Sequence, residues 1–153
     1  IIISIERCGP TINGDYLNSR GKKIDEFNSK TEFLLDNEIP SIGIGDGGNE
    51  IGMGNLNNII KKSNQLSNPP CITQTDILIP ASTSNWGGYG LVAGLSKISK
   101  QNLLPSISED EKLIKDFVDA GGVDGITATS TYKVDSFELE VNSSILERLH
   151  KTI

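Results

Sequence analysis

The chain has 153 residues, 36% of them hydrophobic and 22% charged. That is enough for one domain with a real core. A net charge of −6, a pI near 4.8 and no basic stripe with interleaved aromatics argue against nucleic acid as a partner. No apolar run is long enough for a bilayer, which argues against a membrane span.

The opening Ile1-Ile2-Ile3-Ser4-Ile5 is a β-branched run expected to form a strand buried on both faces. There is no initiator methionine, signal or transit peptide. An interior strand at the start points to a longer chain and a larger sheet. Self-association into a homo-oligomer is the expectation if that sheet is left uncovered.

Glu6 to Lys23 reads as a long loop. Ile24, Phe27, Thr31, Leu34 and Leu35 fall on one helical face, Pro40 closes that element, and Ser41 to Ile44 predicts a short buried strand. Leu56, Ile59, Ile60 and Ser63 predict a helix to about Leu66, followed by a turn at Ser67-Asn68-Pro69-Pro70. Asp76 to Pro80 is the third strand. Trp86 to Lys100 predicts a helix with Leu91, Leu95 and Ile98 inward. Ser108 with Glu111 reads as a capping box for a helix carrying Leu113, Ile114, Phe117 and Val118 and stopping at Gly121-Gly122. Asp124 to Thr129 predicts a strand, and a last helix presents Leu146, Leu149 and Ile153. The alternation gives an α/β domain over residues 1–153, a mostly parallel sheet flanked by helices in three layers.

Cys8 and Cys71 lack metal-ligand spacing and are expected as free thiols. His150 reads as a surface residue. The chemistry must therefore come from elsewhere, and ligands of parallel sheets bind beyond the carboxyl ends of the strands. Glu6-Arg7, Asp46 to Glu50 and Ser82 to Tyr89 all follow predicted strands.

Asp46-Gly47-Gly48-Asn49-Glu50 sets two carboxylates and an amide in a glycine turn. It lacks the Gly-Lys-Ser/Thr of a phosphate loop, and acids stand where a pyrophosphate would approach. A hard divalent cation, Mn²⁺ or Mg²⁺, suits such oxygens; the other reading is a turn in which Asp46 caps a helix. Glu6 reads as metal ligand or acid/base and Arg7 as a carboxylate clamp, or the two as an ion pair. Arg20 is a second clamp candidate or a solvated cation. Asn85 near Trp86 reads as an oxyanion donor or as part of a tightly packed helix start.

Ile5-Glu6-Arg7 with Gly9, Asn13 to Gly21 (NGDYLNSRG), Gly43 to Gly54 (GIGDGGNEIGMG), Ser84-Asn85-Trp86-Gly87-Gly88-Tyr89 and Gly122-Val123-Asp124-Gly125 occur in that order. This resembles the D-glutamate cyclase carboxyl-terminal family, once catalogued as a domain of unknown function. The resemblance covers nearly the whole chain and corresponds to the second half of that domain. Cys8-Gly9-Pro10 and Leu17 depart from the family's Pro-Gly and second aromatic.

The resemblance implies a hydro-lyase that dehydrates D-glutamate to 5-oxo-D-proline and favours a divalent metal, usually manganese. It implies a small amino acid as partner, and a location in the cytoplasm of a bacterium or the mitochondrial matrix of an animal. For that chemistry the expected roles are Asp46 and Glu50 on the metal, and Glu6, Asn49 and Asn85 in catalysis. Arg7, Arg20, Gly47, Gly48 and Trp86 are expected to bind substrate. The same loops would equally serve a non-catalytic module for a metal–carboxylate or phosphorylated metabolite, or an enzyme for another small amino or hydroxy acid.

Overall fold

Parallel pairing of three short strands organises the amino-terminal part of the molecule: β1 (Ile2–Ile5), β2 (Ser41–Gly45) and β3 (Ile77–Pro80), in spatial order β1-β2-β3. Ile3 pairs with Ile42 and Ile42 with Ile77, so isoleucines stand in register across the sheet. The computed structural model describes residues 1–36 and 38–153. They form two units, Ile1–Gly87 and Gly88–Ile153. The described residues combine a parallel sheet with four helices, so the fold is α/β.

Central β2 is buried at all five positions. β1, paired only with β2 among the described strands, is not buried on both faces as expected: Ile3 and Ile5 are 42% and 50% exposed. The loop after β1 folds back through isolated antiparallel bridges, Cys8 to Glu50 and Thr11 to Cys71. Both cysteines are free and buried. Burial pushes both thiols above their ordinary pKa, Cys71 to about 11.

The helix expected over Ile24 to Leu35 is replaced by two 3₁₀ turns, Asp25–Phe27 and Glu32–Leu35. The Ser29 carbonyl, which would belong to its ladder, accepts from the Arg7 guanidinium instead, while the Asp25 carboxylate accepts the Tyr16 N–H and the Thr31 hydroxyl a second Arg7 bond. The next expected helix shortens to a 3₁₀ turn, Met53–Leu56, and a single turn, α1 (Asn57–Ile60). Asn55 and Asn57 there donate to the carbonyls of Thr75 and Cys71, tying the segment to the chain before β3.

Helix α2 (Ser84–Ser99) crosses the division at Gly87. In the second unit its Tyr89, Val92 and Ala93 pack with Leu104, Ile107, Leu146 and Leu149. The expected inward face is the wrong one: Leu95 is 46% and Ile98 81% exposed, while Ser96 is fully buried. Ser96 is tolerated inside because its hydroxyl donates to the Val92 carbonyl and accepts the Leu103 N–H.

α3 (Ile107–Asp119) has its capping box two residues earlier than expected, at Ser106 and Glu109 rather than Ser108 and Glu111. Pro105, which has no N–H, precedes the cap. Asp124 to Thr129 is not a strand. The Asp124 carboxylate accepts the N–H groups of Ile126, Thr127 and Ser136, which curls the threonine-rich segment into a turn ahead of a small hairpin, β4 (Lys133–Val134) and β5 (Phe137–Glu138). Burial works against the Asp124 charge, yet these donors hold its carboxyl below the ordinary value.

α4 (Leu139–His150) buries Leu146 completely. His150 is half-buried rather than a surface residue: its Nε2 meets the Pro105 carbonyl at 2.9 Å and its Nδ1 meets the Asn102 amide at 3.2 Å. Asp110, only 2% exposed, accepts from both the Tyr89 hydroxyl and the Asn142 amide. Burial and that bond raise the pKa of the Tyr89 hydroxyl.

Asp110→Ala removes a shared acceptor from two donors in the second unit's interior, whereas Ser106→Ala removes only a solvent-exposed cap. Urea unfolding should show a loss of about 2–3 kcal/mol for Asp110→Ala. Ser106→Ala should lose about 1 kcal/mol. Equal losses would contradict a central role for the buried carboxylate.

Candidate active site

Where β2 ends, its last residue Gly45 leads into Asp46, and the chain turns sharply through Gly47 and Gly48. Gly48 has φ +93°, a left-handed conformation that a side chain would strain. Glu50 then folds back over the turn. Its Oε1 accepts the Gly47 N–H and its Oε2 the Gly48 N–H, each at 2.8 Å, and the residue is 1% exposed.

The neighbouring glycines make room for this. A Cβ on Gly45 would stand 2.9 Å from Glu50 Cβ, and one on Gly47 would stand 3.0 Å from Glu50 Oε1. The density of glycine is therefore the space that a buried carboxylate needs.

Asp46 reaches across to β3's successor. Its Oδ2 accepts from the Ser84 N–H at 2.7 Å and from the Ser84 hydroxyl at 3.0 Å, satisfying the first amide of α2. A capping role for Asp46 is thus real, but the helix is α2 rather than the one that follows the glycines. Thr83 adds its own cap, accepting the Trp86 N–H. Ser84 is a site residue that sequence reasoning left unassigned. The Ser/Thr cluster at the predicted helix start was the available signal.

Glu6 follows β1 directly, with φ +53°, and its N–H donates to the Ile44 carbonyl. A left-handed conformation costs a non-glycine residue about 1–2 kcal/mol, and it turns the chain at the sheet edge, where the Glu6 side chain is exposed. Glu6, Asp46 and Glu50 each offer an oxygen within 4.8 Å of the others. Burial is the main force raising the Glu50 pKa, the Gly47 N–H partly offsets it, and the Asp46 charge raises it again.

The remaining predicted residues divide. Arg7 is half-buried, with its guanidinium donating to Ser29 and Thr31. It lines a groove of about 290 Å³ along β1, with Ile2, Ile5 and Leu34 among its neighbours. Arg20 is exposed on the turn around Asn18, whose side chain accepts its backbone N–H. Asn85 is exposed and Trp86 half-buried in the first turn of α2, next to Ser84.

The N–H groups of Gly47 and Gly48, expected to face substrate, donate to Glu50 instead. Asn49, expected to donate to a substrate oxygen, has its Nδ2 on the Leu17 carbonyl at 3.0 Å. What the turn presents is therefore a set of acceptors, suited to a cation and not to an anion.

These observations meet the comparison with known proteins. The family described as D-glutamate cyclase-like, C-terminal, matches residues 1–150. The chain belongs to that family. It is 35% identical over 100 residues to the mitochondrial D-glutamate cyclase of Homo sapiens, a match covering 61% of this chain and 16% of the human protein. Among the described residues no helix is long and apolar enough to cross a membrane.

The hydrogen bonds separate the two acids of this D-glutamate cyclase-like turn. Asp46→Asn keeps an oxygen for Ser84, whereas Glu50→Gln sets an NH₂ against a buried backbone N–H. Without metal, chemical denaturation should show Glu50→Gln destabilised by about 1–3 kcal/mol. Asp46→Asn should lie within about 0.5 kcal/mol of wild type. The reverse order would refute the assigned contacts.

A raised folded pKa also means that the native state takes up the Glu50 proton before the unfolded chain does. As pH falls through the raised value towards the ordinary 4.5, this group's contribution to stability rises, and below 4.5 it rises no further. The difference in stability between wild type and Glu50→Gln should therefore shift in favour of wild type as pH is lowered from about 7 to about 4. A pH-independent difference would show that Glu50 titrates normally.

Proposed function

We propose that the chain carries out the metal-assisted intramolecular dehydration of D-glutamate to 5-oxo-D-proline, as a D-glutamate cyclase-like hydro-lyase. The observation that carries this reading is the convergence of Glu6, Asp46 and Glu50 at the carboxyl edge of the sheet, in a chain of this family. The donor set fits a hard cation. The two ligands, Asp46 and Glu50, are carboxylates with the Glu6 carboxylate beside them, and the turn offers the cation no competing exposed N–H from Gly47 or Gly48.

Asp46 and Glu50 would hold Mn²⁺ or Mg²⁺. When bound, the metal supplies Lewis-acid charge that offsets the negative charge of a substrate carboxylate and makes its carbon a better electrophile. Each Glu50 oxygen accepts one N–H and retains a second lone pair for this, and Asp46, whose Oδ2 serves Ser84, would use its other oxygen. Glu6, the exposed member of the triad, takes the proton that the substrate ammonium must lose before its nitrogen can attack.

The new bond joins that nitrogen to the γ-carboxyl carbon, and the nitrogen gives up a second proton as the bond forms; Glu6 passes both protons in turn to one carboxyl oxygen, whose carbon–oxygen bond breaks so that water leaves and the lactam keeps one N–H. Arg7, steadied by Ser29 and Thr31, or the exposed Arg20 would pair with the α-carboxylate and hold the substrate folded. Asn85 and Trp86, beside Ser84, would border the substrate from the start of α2.

The direct test is incubation with D- or L-glutamate and Mn²⁺, with 5-oxoproline measured by mass spectrometry. Product from D-glutamate is expected. Product from neither enantiomer would overturn the reading in favour of a binding module or an enzyme for another acid. In the active protein, Glu6→Gln should lower kcat by about 10²–10⁴-fold, as loss of a general acid–base group does. Asp46→Asn should instead raise the Mn²⁺ concentration required. A Glu6→Gln enzyme with unchanged kcat would remove Glu6 from proton transfer.

A further inference from the structure

Asn49 is 9% exposed, and its side-chain oxygen is closed off from solvent with no hydrogen-bond partner among the described residues. The orientation of the amide is dictated by its surroundings. Leu17 offers a carbonyl, which can only accept, so the nitrogen must face it, at 3.0 Å. Oδ1 is therefore left on the other side, 2.9 Å from the place a Cβ on Gly47 would occupy, with Glu50 Oε1 3.0 Å from the same place. Any residue but glycine at 47 would block both oxygens.

A buried carbonyl oxygen without a partner is costly, and native proteins usually satisfy it. A hydrogen-bond donor would have to approach to about 2.7–3.2 Å, whereas a small divalent cation binds oxygen at about 2.0–2.2 Å. Oδ1 is enclosed, which suits a group that approaches an oxygen more closely than a hydrogen-bond donor does. We propose that Asn49 Oδ1 is a further, neutral oxygen ligand of the divalent cation that Asp46 and Glu50 hold, an inference resting on the metal reading above. The role is opposite in polarity to substrate donation, because the amide presents its acceptor rather than its NH₂.

The test is Mn²⁺ affinity, measured by calorimetry and by the electron paramagnetic resonance signal of unbound Mn²⁺, for wild type, Asn49→Ala and Asn49→Asp. Circular dichroism confirms that each variant is folded. Asn49→Ala should weaken binding by roughly 10- to 100-fold, and Asn49→Asp, which keeps an oxygen there, should bind more tightly than Asn49→Ala.

A second measurement needs no variant. In wild type the ¹³C resonance of the Asn49 side-chain carbonyl should shift on titration with diamagnetic Mg²⁺. Binding by wild type with equal affinity in Asn49→Ala and an unmoved carbonyl resonance would overturn this assignment while leaving Asp46 and Glu50 as ligands. No Mn²⁺ binding by wild type would overturn the metal reading and this inference together.

Discussion

The Glu50 carboxylate lies almost entirely out of water, with each oxygen on a backbone N–H of the turn it closes. A carboxylate in that position is unfavourable unless its charge is compensated, and two N–H bonds compensate it only in part, since its pKa is still raised. Much of the first unit accommodates this one group. Gly45 and Gly47 leave the volume that it fills, and Gly48 takes the left-handed conformation that lets its N–H reach Oε2. The bridge from Cys8 to Glu50 fixes the loop after β1 against it.

The same constraint sets the chemistry. A turn whose N–H groups pointed outward would bind phosphate or another anion. Here Glu50 takes those N–H groups, so the exposed character of the turn is reversed, and carboxylate oxygens from Glu6 and Asp46 join it. Asp46 couples this centre to the start of α2 through Ser84. That links the two loops from which a substrate would be bordered. The proposed function rests on both observations, membership of a D-glutamate cyclase-like family and a turn that presents acceptors rather than donors.

The sequence made the centre legible because it depends on local chemistry. Acids among glycines after a β-branched strand have few uses, and strands β2 and β3 are short apolar runs bounded by turn residues. What it could not disclose depends on partners distant in the chain. Nothing near Asn49 in sequence shows that its NH₂ is taken by Leu17, 32 residues earlier. The helical spacing of Leu91, Leu95 and Ile98 was real, yet the buried face of α2 was the one carrying Tyr89, Val92, Ala93 and Ser96. Apolar periodicity shows that a helix has a face and does not show which face a second, more polar one displaces. The threonines after Asp124 suggested a strand, but one carboxylate gathering three N–H groups outweighed their β propensity.

The most direct measurement of the central claim is proton release on Mn²⁺ binding, obtained by calorimetric titration in buffers of different ionisation enthalpy. A buried carboxylate with a raised pKa must lose its proton to accept the metal. The account predicts that Mn²⁺ binding releases protons at mildly acidic pH, that release fades as pH rises above the raised value, and that Glu50→Gln abolishes it. Mn²⁺ binding with no proton release at any pH, or with identical release in Glu50→Gln, would contradict the claim that Glu50 is the buried metal-binding carboxylate on which the site is built.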